Sequence, residues 1–261
     1  MKHSLLILFV LSQLFIVPFS DSTYVKAKTT SIVHELSAES KKDPLSLSEL
    51  NNKYQNTFFL YGSKTKREIA LTFDDAPDNI FTPQILDILK QKGVKATFFV
   101  VGYRIEEHPD IFKRIIREGH ALGNHSYNHA NFSKLSDSEF RNQIIKTDNI
   151  IKQYTGYIPR MIRPPYGNIN EEQLQWLKLH NKKIVNWNVD SLDWKGLDED
   201  QVASNVLLHV KPGAIILQHS GTGTGGDLSG TVKSLPKIID ELNKEKYHLV
   251  TIPKLLNIPA K

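Results

Sequence analysis

The chain has 261 residues, 40% of them apolar and 23% charged, with 14 glycines and 12 prolines. That is enough apolar material for one full core and too little bias for a disordered, collagen-like or low-complexity chain. It has no cysteine, which excludes disulfide scaffolds, iron–sulfur ligation and thiol catalysis and leaves any metal site to nitrogen and oxygen donors. Its 33 basic and 28 acidic residues give a net charge of +5 with no run of five or six like charges. Nucleic-acid binding is therefore not expected, whereas mild attraction to an anionic polymer or cell surface is.

Lys2 and His3 precede an apolar run from Leu5 to Phe19, broken by Ser12, Gln13 and Pro18, and the chain turns polar at Ser20-Asp21-Ser22. This is the order of a secretory signal peptide, predicted over residues 1–27 with Val25-Lys26-Ala27 at the cleavage position. The alternative is an uncleaved N-terminal membrane anchor. Both put the folded domain outside the cytoplasm, secreted in the first case and held at the membrane in the second. Residues 28–66 are polar and weakly helical, and a linker or N-terminal arm is expected there.

From Arg67 onward, short apolar runs alternate with helical patterns, the signature of βα units around a parallel sheet. Seven units are predicted. The strands are Glu68 to Phe73, Ala96 to Val101, His120 to Asn124, Met161 to Arg163, Lys183 to Val189, Ala214 to Gln218 and Leu249 to Ile252. The helices lie near Thr82 to Lys92, Pro109 to Glu118, Asp137 to Tyr154, Asn170 to His180, Asp198 to His209, Thr231 to Lys244 and Pro253 to Leu256. The helix from Asp137 carries Phe140, Ile144, Ile145, Thr147, Ile151 and Tyr154 at helical spacing, with Ser136 or Asp137 as its N-cap. IALTF and AIILQ are apolar on successive residues, as expected of strands covered on both faces.

The unusual polar residues follow the carboxyl ends of these strands, where α/β barrels and open α/β sheets build their active sites. Asp74-Asp75 follows IALTF, and His125 and His129 follow HALGN. Arg163-Pro164-Pro165-Tyr166-Gly167 ends the fourth strand, Asp190 and Asp193-Trp194 follow IVNWNV, and His219 ends AIILQ. A His pair at i, i+4 suits a divalent ion. Two adjacent aspartates cannot both be buried and ionised cheaply unless a cation or donors support them. His219, closing an apolar strand on the active rim, suits acid–base work near neutral pH.

At this point the residues resemble a known family, the polysaccharide deacetylases of carbohydrate esterase family 4 with the NodB homology domain. The resemblance runs from about Arg67 to Leu256. It rests on five segments in order: Thr72-Phe73-Asp74-Asp75-Ala76-Pro77, His125-Ser126-Tyr127-Asn128-His129, Arg163-Pro164-Pro165-Tyr166-Gly167, Asp190-Ser191-Leu192-Asp193-Trp194 and Leu217-Gln218-His219. It implies an α/β fold, a distorted (β/α) barrel, for residues 67–256. It also implies that Asp75, His125 and His129 ligate a divalent metal, usually Zn2+ and sometimes Co2+. Asp74 becomes the general base with Arg163 as its positioning partner, and His219 the general acid tuned by Asp193. The Tyr166 backbone N–H would help hold the oxyanion, and Trp194 and Leu217 would line the acetyl pocket. Ser126 is expected to support the metal histidines. Ala76 stands where the family usually has glycine. If that position has positive φ, the alanine strains the loop by about 1 kcal/mol.

The function implied is metal-dependent hydrolysis of the N-acetyl amide of a cell-wall amino sugar, above all the N-acetylglucosamine of peptidoglycan. Chitin fragments and N-acetylmuramic acid are alternative targets. No obligate protein partner is implied, and the chain is read as a monomer. A two-His, one-carboxylate iron oxygenase would use the same ligands, but it leaves Asp74, Arg163, Asp193 and His219 without roles. A carbohydrate-binding pseudoenzyme has only Ala76 in its favour.

Overall fold

The computed structural model describes residues 45–261, and the expected signal peptide and the first part of the expected linker lie outside them. The first described helix, α1 (Leu47–Lys53), begins at a capping box in which Ser46 and Glu49 satisfy each other's free backbone donors. A two-residue strand follows, β1 (Phe58–Phe59). β2 (Glu68–Ala76) leads to α2 (Phe81–Gln91), β3 (Thr97–Val100) to α3 (Gly102–Glu107) and α4 (Pro109–Arg117), and β4 (Ala121–Asn124) to α5 (Asp137–Thr155). Next come β5 (Met161–Ile162), α6 (Glu171–Leu179), β6 (Lys183–Val185), β7 (Val189–Asp190), α7 (Glu199–Leu207), β8 (Ile215–His219), α8 (Ser229–Lys244), β9 (His248–Leu249) and α9 (Ile252–Leu256).

The strands form one parallel sheet in the order β1-β6-β5-β4-β3-β2-β8-β7, with β9 joined to β2. The sheet curls into a distorted barrel with two apolar layers. Side chains alternate along a strand, so Ala70, Phe99, Met161, Val185 and Ile215 fill the inside. Ile69, Leu71, Phe73, Phe98 and Ile216 face the helices. Gly123 allows this filling: a Cβ there would lie 2.4 Å from the Phe99 ring.

Three differences from the sequence reading have physical causes. The single strand expected over Lys183 to Val189 is two strands that lie toward opposite ends of the sheet order and face each other across the opening of the barrel. Asn186 donates its N–H to the Phe59 carbonyl (2.9 Å), and Asn188 Oδ1 accepts the Ile215 N–H (2.9 Å), so residues 186–188 cross the remaining gap. The apolar run read as one strand because the crossing keeps Trp187 half-buried. α3, unexpected from sequence, is too short to show a period.

The third difference concerns the expected linker, 28–66. From residue 45 it is folded structure: Leu50, Tyr54 and Phe58 are buried against Phe140, Ile162, Leu174 and Ile184, and Lys53 pairs with Glu171. The folded unit therefore reaches back well before Arg67. Phe58→Ala is expected to lower the unfolding free energy by about 3–5 kcal/mol through the cavity it leaves, read from the urea midpoint. A surface arm would leave that midpoint unmoved.

Candidate active site

Parallel register sets two groups side by side. Asp74 on β2 pairs with His219 on β8, and Thr72 with Leu217, so both strands send their last inward side chains to the carboxyl rim. There they line a cavity of about 600 Å3 with Asp75, His125, His129, Tyr166, Trp194 and Leu217. Arg163 and Asp193 lie beneath it, fully buried. The ten residues expected to ligate metal, catalyse or bind substrate are thus brought together in or beneath one cavity.

Asp74 is held from below. Arg163 Nη1 donates to Asp74 Oδ1 (2.8 Å) and to Thr72 Oγ1 (2.8 Å), while its Nε and Nη2 donate to the carbonyls of Val185 and Asn186. Its guanidinium, always protonated, also stacks 4.1 Å from the Phe99 ring centre. Burial pushes the Asp74 carboxyl above the usual carboxylate range, and the adjacent guanidinium offsets part of that rise. Asp74 Oδ2 stays open, 3.6 Å from His125 Nε2.

Beside it, one donor atom from each of Asp75, His125 and His129 lies within 4.8 Å of the others. Asp75 Oδ1 is 3.9 Å from His125 Nε2 and 3.6 Å from His129 Nε2. Donors about 2 Å from a tetrahedral ion sit roughly 3.4 Å apart, so the three fit a divalent cation with little movement. His125 Nδ1 lies 2.7 Å from the Arg163 carbonyl and must donate to it, which leaves Nε2 as the free lone pair. Burial, reinforced by His129, lowers the His125 pKa to about 3, so the ring is neutral, the form that ligates a metal.

Opposite, His219 Nδ1 is 2.7 Å from Asp193 Oδ1, and Asp193 Oδ2 accepts the His219 N–H and the Thr231 hydroxyl, each at 2.8 Å. Burial alone would lower the His219 pKa. The Asp193 carboxylate outweighs it, with Asp74 and Asp75 adding, and pushes it up to about 9. Burial likewise works against ionising Asp193, but His219 and these donors hold it below the usual carboxylate range. Nδ1 being committed to Asp193, Nε2 is the His219 atom left for the cavity.

Backbone strain collects on this rim. Asp75, Ser126, His129, Tyr166 and Leu192 all have φ between 55° and 69°, a region most non-glycine residues avoid. At Tyr166 the turn's first hydrogen bond runs from the Gly167 N–H to the Pro164 carbonyl, so the Tyr166 N–H precedes the turn's own bonding. Ala76 is not among the positive-φ residues. It ends β2 fully buried, and the unusual backbone falls one residue earlier, at Asp75, so the strain expected of Ala76 does not arise. Ser126 also differs from expectation. Its Oγ has no hydrogen-bond partner, and its N–H binds Asn124 Oδ1 (2.8 Å), so it contributes a turn rather than a side-chain contact.

Sequence reasoning missed Tyr103, Arg104 and Trp187, which also line the cavity. Arg104 Nη2 donates to the Thr222 carbonyl (2.7 Å) and so secures the glycine-rich loop whose Gly221, Thr222 and Gly223 form one wall. Only the placement of Tyr103 and Arg104 just past a strand's carboxyl end could have signalled them.

The polysaccharide deacetylase family model matches residues 52–185. A peptidoglycan-N-acetylglucosamine deacetylase of Bacillus cereus is 52% identical over 194 residues, which are 74% of this chain and 70% of that protein. A peptidoglycan-N-acetylmuramic acid deacetylase of Bacillus subtilis is 38% identical over 190 residues, 73% of this chain but only 39% of the longer relative. Among solved structures, a peptidoglycan N-acetylglucosamine deacetylase in complex with 4-naphthalen-1-yl-N-oxidanyl-benzamide superposes with a TM-score of 0.78 at 48% identity, over 81% of this chain and 97% of that one. With a family match over half its length, a relative 52% identical over most of both chains and a curled parallel barrel that superposes on a solved member, the chain belongs to the polysaccharide deacetylase family.

Proposed function

We propose that this chain is a Zn2+-dependent deacetylase that removes the N-acetyl group from N-acetylglucosamine in peptidoglycan, acting outside the cytoplasm after export by residues 1–27. The observation that carries the reading is one cavity that brings the Asp75–His125–His129 cluster together with a carboxylate held by arginine and a histidine held by aspartate. The 52% identity to the Bacillus cereus deacetylase supports the substrate. A divalent cation held by Asp75, His125 and His129 would polarise the amide carbonyl and lower the pKa of water beside it.

The chain's own groups then divide the proton work. Asp74, with Oδ1 fixed by Arg163, offers Oδ2 to take a proton from the attacking water. His219, with Nδ1 on Asp193, presents Nε2–H to the amide nitrogen. Water adds to the carbonyl carbon and the C–N bond breaks, the nitrogen leaving as an amine with that proton and the acyl part as acetate. The Tyr166 N–H, which the turn does not use, binds the oxygen as it gains charge in this reading; a donor of this kind is worth about 3–4 kcal/mol of barrier. Leu217 and Trp194 form the wall against which the acetyl methyl rests. Two groups with opposite protonation requirements are what amide cleavage needs, and an iron oxygenase would need neither. Ala76, with no left-handed strain, gives a binding-only role no support.

The test is acetate release by metal-stripped protein, with and without added Zn2+ or Co2+, from purified peptidoglycan and from N-acetylglucosamine oligomers. Release restored by metal and greatest on peptidoglycan is expected. Metal binding without release from either substrate would overturn the hydrolase reading. Accumulation of deacetylated muramic acid would move the target to the sugar named for the Bacillus subtilis relative.

A further inference from the structure

Both histidines of the metal cluster sit on one five-residue loop, His125 to His129, and the packing against that loop is unusual. The N–H groups of its three middle residues are all taken. Ser126 donates to Asn124 Oδ1 (2.8 Å), while Tyr127 and Asn128 donate to the same atom, Gln143 Oε1, at 2.9 and 3.1 Å. Its carbonyls are taken from the other side, Ser126 by the Gly102 N–H and Tyr127 by the Tyr103 N–H at the start of α3. Asn124 is itself fixed by α5: its Nδ2 donates to the Ile144 carbonyl (3.0 Å) and to Asp148 Oδ1 (2.9 Å). Asp148 in turn accepts from buried Lys182 (2.5 Å).

We infer that Gln143 is a positioning residue for the cation site, setting the spacing of His125 and His129 by accepting two of the three N–H groups that lie between them, those of Tyr127 and Asn128. The inference rests on the proposed cation site. The chemistry is specific to an acceptor with two lone pairs: Gln143 satisfies adjacent donors with one oxygen, which forces residues 127 and 128 to turn their amides the same way. His125 before them and His129 after them, itself at φ 58°, then point back to Asp75. Without that oxygen the two N–H groups turn to solvent and His129, the more exposed ligand, swings free. Groups behind a metal ligand typically change affinity 10- to 100-fold. Gln143 touches neither the cavity nor the reacting atoms.

Zn2+ affinity of the full chain, measured by competition with a chromophoric chelator, tests this for Gln143→Leu, Gln143→Ala and Gln143→Glu, with the melting temperature of each metal-free protein alongside. Leucine and alanine should weaken Zn2+ 10- to 100-fold while glutamate, which keeps the acceptor, stays within about threefold of wild type. Wild-type affinity in the leucine and alanine variants would overturn the inference. So would equal loss in all three variants in step with the melting temperature, which would make Gln143 a folding residue only. A wild-type chain that binds no Zn2+ would instead show that the cation site itself is wrong, and the inference would fall with it.

Discussion

Asp74→Asn is expected to hold Zn2+ as tightly as the wild type and to release acetate about 10^3-fold more slowly, within the range of roughly 10^2 to 10^4 usual for loss of a general base. The amide is close in size to the carboxylate and its oxygen can keep the Arg163 contact made by Oδ1, so the arginine and the sheet beneath it stay in place. What disappears is the basic Oδ2 that faces the cation cluster. His125→Ala gives the contrasting result: one of the three donors is removed, and metal and turnover are lost together. The pair separates proton transfer from ligation, with acetate release and bound zinc measured on the same samples. Near-wild-type turnover by Asp74→Asn would place the base elsewhere.

Asp193→Asn should change the pH profile as much as the rate. With its pKa near 9, His219 carries its proton throughout the neutral range. Turnover that depends on this acid is present below about pH 9 and lost as pH rises through it. The asparagine removes the carboxylate that outweighs burial, so the alkaline limb should move down toward or below the ordinary histidine value of 6.5, and activity at pH 8 should fall at least 10-fold. Measuring variant and wild type both loaded with metal cancels the cation's own pull on His219. An unmoved alkaline limb would show that His219 is not the titrating acid. The acidic limb, which requires Asp74 ionised and is set above the usual carboxylate range by burial, should not move down with it, because the His219 charge that helps to lower it is weakened.

The barrel was legible where residues face a core on both sides. Ile69-Ala70-Leu71 and Ile215-Ile216 read as buried strands because no solvent face interrupts them, and the polar residue after each run then marked the rim. Legibility failed where a residue's surroundings come from far along the chain. Leu50, Tyr54 and the short run that opens at Phe58 read as part of a polar arm because the wall they pack on is supplied by Phe140, Leu174 and Ile184. Gln143 and Asp148 lie among the polar residues of an amphipathic helix, a pattern that ordinarily means solvent. Here they face the His125–His129 loop and Asn124, and nothing in a helical period separates a solvated glutamine from one that grips a backbone. Ala76 misled in a different way, because its strain was inferred from a residue type and only the backbone angles show that Asp75 bears it.

The left-handed residues of the rim set thermostability against activity. For ordinary residues this conformation costs roughly 1–2 kcal/mol each, and glycine relieves it where the side chain does no chemistry. Engineering for heat resistance alone would therefore be drawn to Asp75 and His129 as much as to Ser126 and Leu192, and at the first two every gain in melting temperature would be taken directly from the ligand set. A hardier version of this enzyme is better sought at the last two positions, where the backbone is equally contorted and the side chain is expendable.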